Sequence, residues 1–353
     1  MKRTLYVLLL CCGLFTACGP GRTDEAVHFT DEDFEVKTLR YADAEKYRND
    51  SLFLGDPYLL RVHPEGFLVF QEIGSDRLLT VVDLLNGTVA RMIPRGKGPG
   101  EMLGIRDIVV DEGDICVSSL ADSKVFRLSM VPGERRFVTD TVFRFPKVQF
   151  MRIMPWKKGT FLALASASSD NRMILLDEKG TVSDTVGSFP DFPDMMGRKP
   201  NNALLQSDLY LSPDRRHLAV VCRSIDCIDI YDGDAKLKRR LRGPLGAEVS
   251  FREASNNGLT RYFQEPDYLM FDHVAANDRK MLVGFVGVRI EKREDFDRYI
   301  QSIYAFDWNG KPLTKYALDK EILSFDVDWE HGKLYCLLND PEPEIVTFTL
   351  DGL

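Results

Sequence analysis

The stretch HPEGFLVFQEIGSDRLLTVVDLLNG, residues 63–87, contains the pattern that decides the fold. Two short apolar runs, 67–70 and 78–82, are each bounded by Gly, Pro, Asn, Asp or Ser. Short β-favouring runs between such turn residues are typical of antiparallel strands. The stretch therefore predicts a strand pair that follows one turn, at 63–66, and leads into a second turn at Asn86-Gly87.

The same unit recurs along the chain. Turns that end in Gly stand at 86–87, 132–133, 179–180, 232–233, 309–310 and 351–352, spaced 42 to 53 positions apart except for one interval of 77. A second series of turns precedes them at 63–66, 111–114, 156–159, 212–215, 277–280 and 329–332. Such a period, with four strands per unit, is the signature of a β-propeller. We predict an all-β domain over 34–353, a six-bladed β-propeller with four antiparallel strands per blade.

The two ends of this domain predict how the ring closes. The sequence stops at Leu353, directly after the sixth Gly turn, which leaves the last blade without an outer strand. Residues 34–40 alternate in period two just before the first repeat. An N-terminal strand that completes the last blade removes exposed sheet edges. We therefore expect residues 34–40 to pair with 345–350.

The N-terminus has the plan of an export signal. Lys2 and Arg3 precede the apolar run 5–14, which is too short to span a bilayer, and small residues precede Cys18. Phe15-Thr16-Ala17-Cys18 resembles the lipobox of bacterial lipoproteins, although Phe15 departs from the usual Leu. We predict a cleaved signal peptide over 1–17 and a flexible tether over 18–33, lipidated at Cys18. The protein would then be held in the cell envelope, on the periplasmic or outer-membrane side, by this lipid alone. Cleavage near Ala17 to give a plain secreted protein is the alternative.

Two segments carry a family resemblance. The first runs from 79–84 through Asn86-Gly87 to Gly96-Lys97-Gly98-Pro99-Gly100-Glu101, and the second is Ser212-Pro213-Asp214 followed by Leu218-Ala219. Both are similar to segments of the TolB-like six-bladed propeller lipoproteins, with Arg215 where that family usually has Gly. The resemblance implies the fold and an envelope location. It transfers no catalytic residue.

Charge and cysteine content exclude some classes of function. The formal net charge of −8 becomes −10 when Lys2 and Arg3 leave with the signal, and a net-acidic domain argues against nucleic acid as a partner. Beyond Cys18, the remaining cysteines have no metal-binding spacing. Cys222 and Cys227 flank four residues and can face each other across a hairpin. A disulfide between them and two buried thiols are both compatible with the sequence.

The long loops predict where a partner would bind. First and third turns of every blade share one face, where they are short, whereas the long segments 41–56, 94–104, 187–206, 243–267 and 291–299 belong to the opposite face. Binding residues concentrate in long loops on rigid scaffolds. The candidate binding residues are Arg95, Lys97, Glu101, Arg198, Phe251, Tyr262 and Phe263. For the aromatic residues of 243–267, folding of the loop onto the rim is the alternative. With the outer strand starting near Phe34, we expect this face to point away from the membrane.

No catalytic constellation emerges, and we predict no cofactor. Gly96-Lys97-Gly98-Pro99-Gly100 lacks the P-loop and dinucleotide patterns, so we expect a crossing between blades in which the glycines adopt positive φ. The sequence thus favours a non-enzymatic binding or scaffold propeller for an envelope protein, peptide or glycan. The alternative is a cation-dependent hydrolase or lyase of the lactonase type, with Asp107, Asp272 and Asp326 as channel carboxylates.

Overall fold

The computed structural model describes residues 26–165, 172–190, 205–247, 250–256, 259–290 and 299–350. The described chain opens with three short strands, β1 (Val27–His28), β2 (Glu35–Leu39) and β3 (Glu45–Lys46), joined by single 3-10 turns at Asp31–Asp33 and Tyr41–Asp43. Each of these strands adds to the edge of a sheet formed later in the chain.

Six antiparallel sheets follow in sequence order and form the six predicted blades. Blade 1 comprises β4 (Pro57–His63), β5 (Phe67–Glu72), β6 (Arg77–Asp83) and β7 (Val89–Pro94). Blade 2 comprises β8 (Asp107–Asp111), β9 (Asp114–Ser119), β10 (Lys124–Met130) and β11 (Phe137–Arg144). Blade 3 comprises β12 (Phe150–Pro155), β13 (Thr160–Ala165), β14 (Met173–Asp177) and β15 (Val182–Val186). Blade 4 comprises β16 (Ser207–Leu211), β17 (His217–Cys222), β18 (Cys227–Asp232) and β19 (Leu237–Arg242).

The interval of 77 residues contains the last strand of blade 4, the first three strands of blade 5 and an additional hairpin between them. The hairpin comprises β20 (Ser250–Asn256) and β21 (Leu259–Glu265), and it precedes blade 5, which comprises β22 (Tyr268–Ala276), β23 (Lys280–Arg289), β24 (Ile300–Asp307) and β25 (Pro312–Ile322). Blade 6 comprises β26 (Ser324–Asp328), β27 (Lys333–Leu338), β28 (Glu344–Thr349) and the N-terminal strand β3. First strands of neighbouring blades contact one another in a closed circle, which makes them the inner wall of the propeller.

The apolar core lies between neighbouring blades. Phe67 of blade 1 packs with Phe126 of blade 2, and Leu60 of blade 1 packs with Leu337 of blade 6. Comparable buried clusters fill the other contacts between adjacent blades. Because both faces of each sheet are covered, the middle strands are apolar on both faces, as in β5, which is buried throughout.

The predicted Gly turns are confirmed at the five positions that the structure describes, since each connects the third and fourth strands of a blade. Gly87, Gly133, Gly180 and Gly310 have positive φ, which explains the choice of glycine. Gly233 does not; a Cβ there would lie 2.7 Å from the carbonyl oxygen of Arg215. The turn at 351–352 lies outside the described residues.

An N-terminal strand closes the ring, as predicted, but the pairing predicted for 34–40 was wrong. β2 pairs in parallel with β25, Glu35 opposite Thr314 and Leu39 opposite Leu318, as a fifth strand on blade 5. The outer strand of blade 6 is β3, in which Glu45 lies opposite Thr347 and Lys46 opposite Val346. Period-two alternation identified a strand correctly, but it holds no information about which sheet edge receives it.

Residues 27–33, predicted to belong to the flexible tether, contact the propeller. β1 pairs in parallel with the end of β19, and Phe29 is buried with Phe34 against Phe306. The chain therefore reaches the propeller at β1, beside the end of β19, seven residues before Phe34. The premise for the predicted orientation relative to a membrane is thereby removed.

Candidate functional site

The first strands of the blades run in one direction through the ring and surround a central channel. Each begins at a loop that crosses from the preceding blade and ends at a first turn. We call the end of the channel at the first turns (64–66, 112–113, 156–159, 212–216, 277–279 and 329–332) the first-turn face, and the opposite end, with loops such as 95–106 and 243–267, the crossing face.

Charged side chains fill the channel near the crossing face. Arg223 donates a hydrogen bond from Nη2 to Asp272 Oδ2 at 2.8 Å, and Tyr58 donates from its hydroxyl to the same oxygen at 3.0 Å. Nη1 of Arg223 lies 3.7 Å from Asp208 Oδ2, and Arg152 forms an ion pair with Asp208. Since these residues come from blades 1, 3, 4 and 5, the interactions join blades across the channel. We call this cluster the crossing-end network.

Two backbone irregularities bring these side chains together. The register of β4 shifts between Tyr58 and Arg61, and that of β22 shifts between Phe271 and Val274. Leu59 and His273, within the shifts, have φ of 54° and 60°. Such values are uncommon for residues other than glycine and cost free energy. The shifts place Tyr58 of blade 1 against blade 5, where its ring lies edge-on to His273 at 5.3 Å.

A second group of charges lies beside the crossing-end network in the channel. Arg61 donates from Nε to the carbonyl oxygen of Ile108 at 3.0 Å and from Nη1 to that of Leu60 at 2.9 Å, and its Nη2 lies 3.7 Å from Asp107 Oδ1. Asp326 accepts the backbone N–H of Val62 at 2.8 Å. We call Arg61, Asp107 and Asp326 the channel floor.

The acidic groups of the channel floor have perturbed pKa values. Burial raises the pKa of Asp107 to about 7 and that of Asp326 to about 6, because the ionised form loses solvation, and the nearby Arg61 offsets only part of this effect. The Asp107 carboxyl is therefore close to half-ionised at neutral pH. Burial lowers the pKa of His273, so its imidazole is neutral at that pH.

Between the channel floor and solvent lies a cavity of about 330 Å³. Its walls are largely apolar: Val62, Val109, Leu209, Leu211, Val274 and Val327. First-turn residues, among them Pro64, Gly113 and Pro213, and the half-buried Trp329 also line it, so it opens on the first-turn face. An apolar pocket of this size with a few converging polar groups is typical of ligand sites.

On the crossing face, the structure describes three of the predicted binding residues in full. Arg95 and Lys97 are exposed in the crossing from blade 1 to blade 2. Glu101 instead turns into its own loop, where its Oε2 accepts the N–H of Gly98 at 2.8 Å. A Cβ at Gly96 would overlap this carboxylate. The predicted crossing between blades is confirmed, but Gly96 and Gly98 make room for Glu101, and none of the three glycines adopts positive φ.

The other predicted binding residues are only partly described. Phe251, Tyr262 and Phe263 belong to the β20–β21 hairpin, in which Phe251 lies opposite Gln264 and Tyr262 opposite Glu253. Their side chains, and all of Arg198, lie outside the described residues. The hairpin is held at its base, where Gln264 Nε2 donates to the carbonyl oxygen of Ser224 at 2.6 Å.

Cys222 and Cys227 stand at facing ends of β17 and β18, and both are free, buried thiols in the structure. Arg172 Nη2 donates to Cys222 Sγ at 3.3 Å. Burial opposes the thiolate of Cys222, but the adjacent Cys227 thiol and Arg172 outweigh this effect and lower its pKa to about 7. The loop between the two cysteines carries Arg223 into the crossing-end network.

Sequence reasoning identified Asp107, Asp272 and Asp326 as channel residues but missed the arginines of the channel. Arg61 and Arg152 each interrupt an apolar first strand, in LLRVH and FMRIM. The sequence offered one sign of these channel residues, which was a single arginine within a strand that is buried on both faces. Among the described residues, no three His, Cys, Asp or Glu side chains are grouped so as to hold a metal ion. The described part likewise has no helix that is long and apolar enough to cross a membrane.

A family model described as a TolB-like six-bladed propeller matches residues 39–330. Among solved structures, a protein of Bacteroides fragilis described as exported is 12% identical, with a TM-score of 0.54, over 89% of this chain and 98% of that one. The Pan2 WD40 domain of Neurospora crassa is 11% identical, with a TM-score of 0.48, over 85% of this chain and 90% of its own. No curated protein matches the sequence. At these identities the structural likeness shows the propeller fold alone.

Proposed function

This chain belongs to the TolB-like six-bladed propeller family, and from that premise we propose that it is a non-enzymatic binding module of the cell envelope. The proposed partner is an envelope protein, peptide or glycan that docks on the first-turn face. The supporting observation is the cavity, which is apolar along its walls and charged at its floor.

The shape of the channel favours binding by insertion of a small group. Behind the channel floor, Tyr58, Arg223 and Asp272 meet across the channel. A partner entering from the first-turn face therefore meets a rigid base after a short apolar passage. Apolar contact along the walls supplies affinity, and the buried polar groups at the base supply specificity.

We propose that the protein is exported and anchored by lipid at Cys18 after removal of residues 1–17. The signal-like N-terminus and the lipobox resemblance support this proposal, as do the membership of the TolB-like family and the exported description of the Bacteroides fragilis structure. Metabolic labelling with a clickable fatty acid tests it: label on the wild type but not on Cys18→Ala supports the anchor, and equal label on both refutes it.

Affinity capture from solubilised envelope tests the binding role and its face together. We expect the intact protein to retain a partner that Ala276→Trp, which obstructs the rim of the cavity, does not retain. Shortening the β20–β21 hairpin is the matched control on the crossing face and should leave capture unchanged. Loss of the partner only in the hairpin variant would instead support the crossing face predicted from the sequence. Retention by both variants would contradict the cavity as the binding site.

The alternative, a cation-dependent hydrolase or lyase, makes a different prediction. It requires a divalent ion between channel carboxylates, whereas the oxygens of Asp326 accept backbone N–H groups and Asp272 accepts from Arg223 and Tyr58. Elemental analysis of protein purified without chelators tests it. One divalent ion per chain, lost in Asp107→Asn, would favour the enzyme.

A further inference from the structure

We propose that the cavity on the first-turn face binds an aliphatic primary ammonium group, the group that a lysine side chain carries. The inference rests on the proposed function, because it takes this cavity as the binding site. It adds the chemical class of the group that binds there.

The charges around the cavity favour a cation. Of the ionisable side chains that line it, Asp107, Asp111, Glu112 and Asp326 are acidic and Arg61 is basic. Tyr210 also lines it, and burial raises the pKa of its phenol, so it stays neutral. Arg215, outside the lining, forms ion pairs with Asp111 and Glu112. With every carboxyl ionised, the cavity therefore carries an excess of negative charge. A cationic ligand reduces this excess, which matters because unbalanced charge is costly where water is excluded.

One carboxylate oxygen is positioned to receive such a cation. The Asp107 side chain is only 9% exposed and lines the cavity. Its Oδ1 accepts the N–H of Ile108 at 2.9 Å, whereas no hydrogen bond reaches Oδ2 in the described part of the chain. Arg61 does not satisfy this oxygen, because its Nη2 approaches Oδ1 and only to 3.7 Å. A carboxylate oxygen that faces a cavity and accepts from no described protein donor leaves a place for a charge-assisted hydrogen bond from a ligand.

The apolar walls select the rest of the ligand. Val62, Val109 and Leu211 line the passage above Asp107, so a group that reaches the floor must pass along apolar surface. An ammonium on a flexible methylene stem fits both requirements, because the stem contacts the walls and the compact charge reaches the carboxylate.

Several other charges face Asp107 and limit how strongly pH can act. Arg61 on β4 lies beside it, and Asp326 on β26 lines the same cavity. Two charges of the crossing-end network also act on it, since Asp208 raises the pKa of Asp107 and Arg223 lowers it. Within that network, Asp208 and Asp272 pair with Arg152 and Arg223. That network pairs its charges internally. Burial raises the pKa of Asp107 to about 7, so this carboxyl changes charge between pH 6 and 8 while an alkylammonium stays protonated.

The first test compares three probes of equal length on the purified, full-length protein. The probes are n-pentylammonium, n-pentanol and pentanoate, and binding is followed by NMR shifts of the valine and leucine methyl groups in the cavity. We expect pentylammonium to bind at least tenfold more tightly than the other two at pH 8. Its affinity should fall by about tenfold at pH 6, as Asp107 takes up a proton.

Asp107→Asn supplies the matched variant, because its amide oxygen still accepts the N–H of Ile108. We expect it to abolish both the preference for pentylammonium and the dependence on pH. Asp140→Asn, on the exposed outer strand of the same blade, is the control and should change neither. Equal binding of the three probes, preference for pentanoate, or an unchanged preference in Asp107→Asn would overturn the proposal.

A blocked peptide, acetyl-Gly-Lys-Gly-amide, separates a lysine of a protein partner from a free amine. Methyl shifts in the same cavity, absent with the norleucine analogue, would assign the group to a lysine side chain. Shifts with pentylammonium but not with the peptide would assign it to a small free amine. If partner capture depends on the cavity but no ammonium probe binds, the binding role stands and the inference about the ligand fails.

Discussion

The two ends of the channel use the same kinds of residue in different ways. At the crossing end, Arg223 is 6% exposed and bonds directly to Asp272, which Tyr58 also reaches from across the channel. At the first-turn end, Arg61 is 7% exposed but stays 3.7 Å from Asp107, which faces a cavity. Burial alone therefore does not distinguish a structural charge from a binding charge. The two kinds of charge differ in whether the group that neutralises them is a residue of this protein or a ligand.

The largest effect on stability should come from breaking the crossing-end network. Asp272→Ala leaves Arg223 without its 2.8 Å partner and leaves the Tyr58 hydroxyl without its acceptor. We expect the free energy of unfolding to fall by about 3–5 kcal/mol, as it does when one member of a buried ion pair is removed. Urea unfolding measures it.

A second substitution separates the effect of the Arg223 charge from the effect of losing the Asp272 side chain. Adding Arg223→Met to Asp272→Ala removes the buried charge that has lost its closest partner and should recover part of the stability. Asp140→Ala, at an exposed position, should change stability by less than about 0.5 kcal/mol. A loss below about 1 kcal/mol in Asp272→Ala would contradict a structural role for the crossing-end network.

An intermediate effect on stability is expected at the channel floor, and it depends on pH. The folded-state pKa of Asp107, about 7, lies above its unfolded value near 3.8. Between these values the folded protein binds more protons than the unfolded chain, so stability falls as pH rises from 4 to 7. Asp107→Asn should remove about 3 kcal/mol of this fall. Urea unfolding at pH 4, 5.5 and 7 measures it, and identical pH profiles would refute the assignment.

The smallest effect is expected at the rim of the cavity. The Glu112 side chain is 76% exposed, and its Oε1 lies 3.2 Å from Arg215 Nε. Solvent screens such pairs, so Glu112→Gln should change stability by less than about 1 kcal/mol. Binding of pentylammonium should weaken less than twofold. A loss as large as that in Asp107→Asn would mean that the rim, and not the floor, holds the cation.

The number of blades was predictable because the evidence for it is local. A short turn such as Asn86-Gly87 fixes one strand pair whatever the rest of the chain does. The partner of 34–40 was not predictable, since β2 and β25 lie far apart in sequence and any open edge satisfies the same alternation. β3, with two residues, is too short to leave a pattern.

The polar groups of the channel were harder to predict, because each blade contributes only one or two residues to the channel floor and the crossing-end network. Arg61 and Asp326 are more than 250 positions apart, and nothing in either segment indicates the other. Loop length drew attention to the crossing face, whereas the described cavity opens on the face with the shorter turns. Loop length indicates where variation is tolerated, but a pocket also forms where strands diverge around a channel.

Site-specific photo-crosslinking compares the two faces most directly. A benzoyl-phenylalanine replaces either Glu112, at the rim of the cavity, or Lys97, exposed on the crossing face, and each protein is irradiated in intact envelope. We predict a crosslinked partner from position 112 and none from position 97. The same partner from position 97 and none from 112 would contradict the claim that the first-turn face is the binding face.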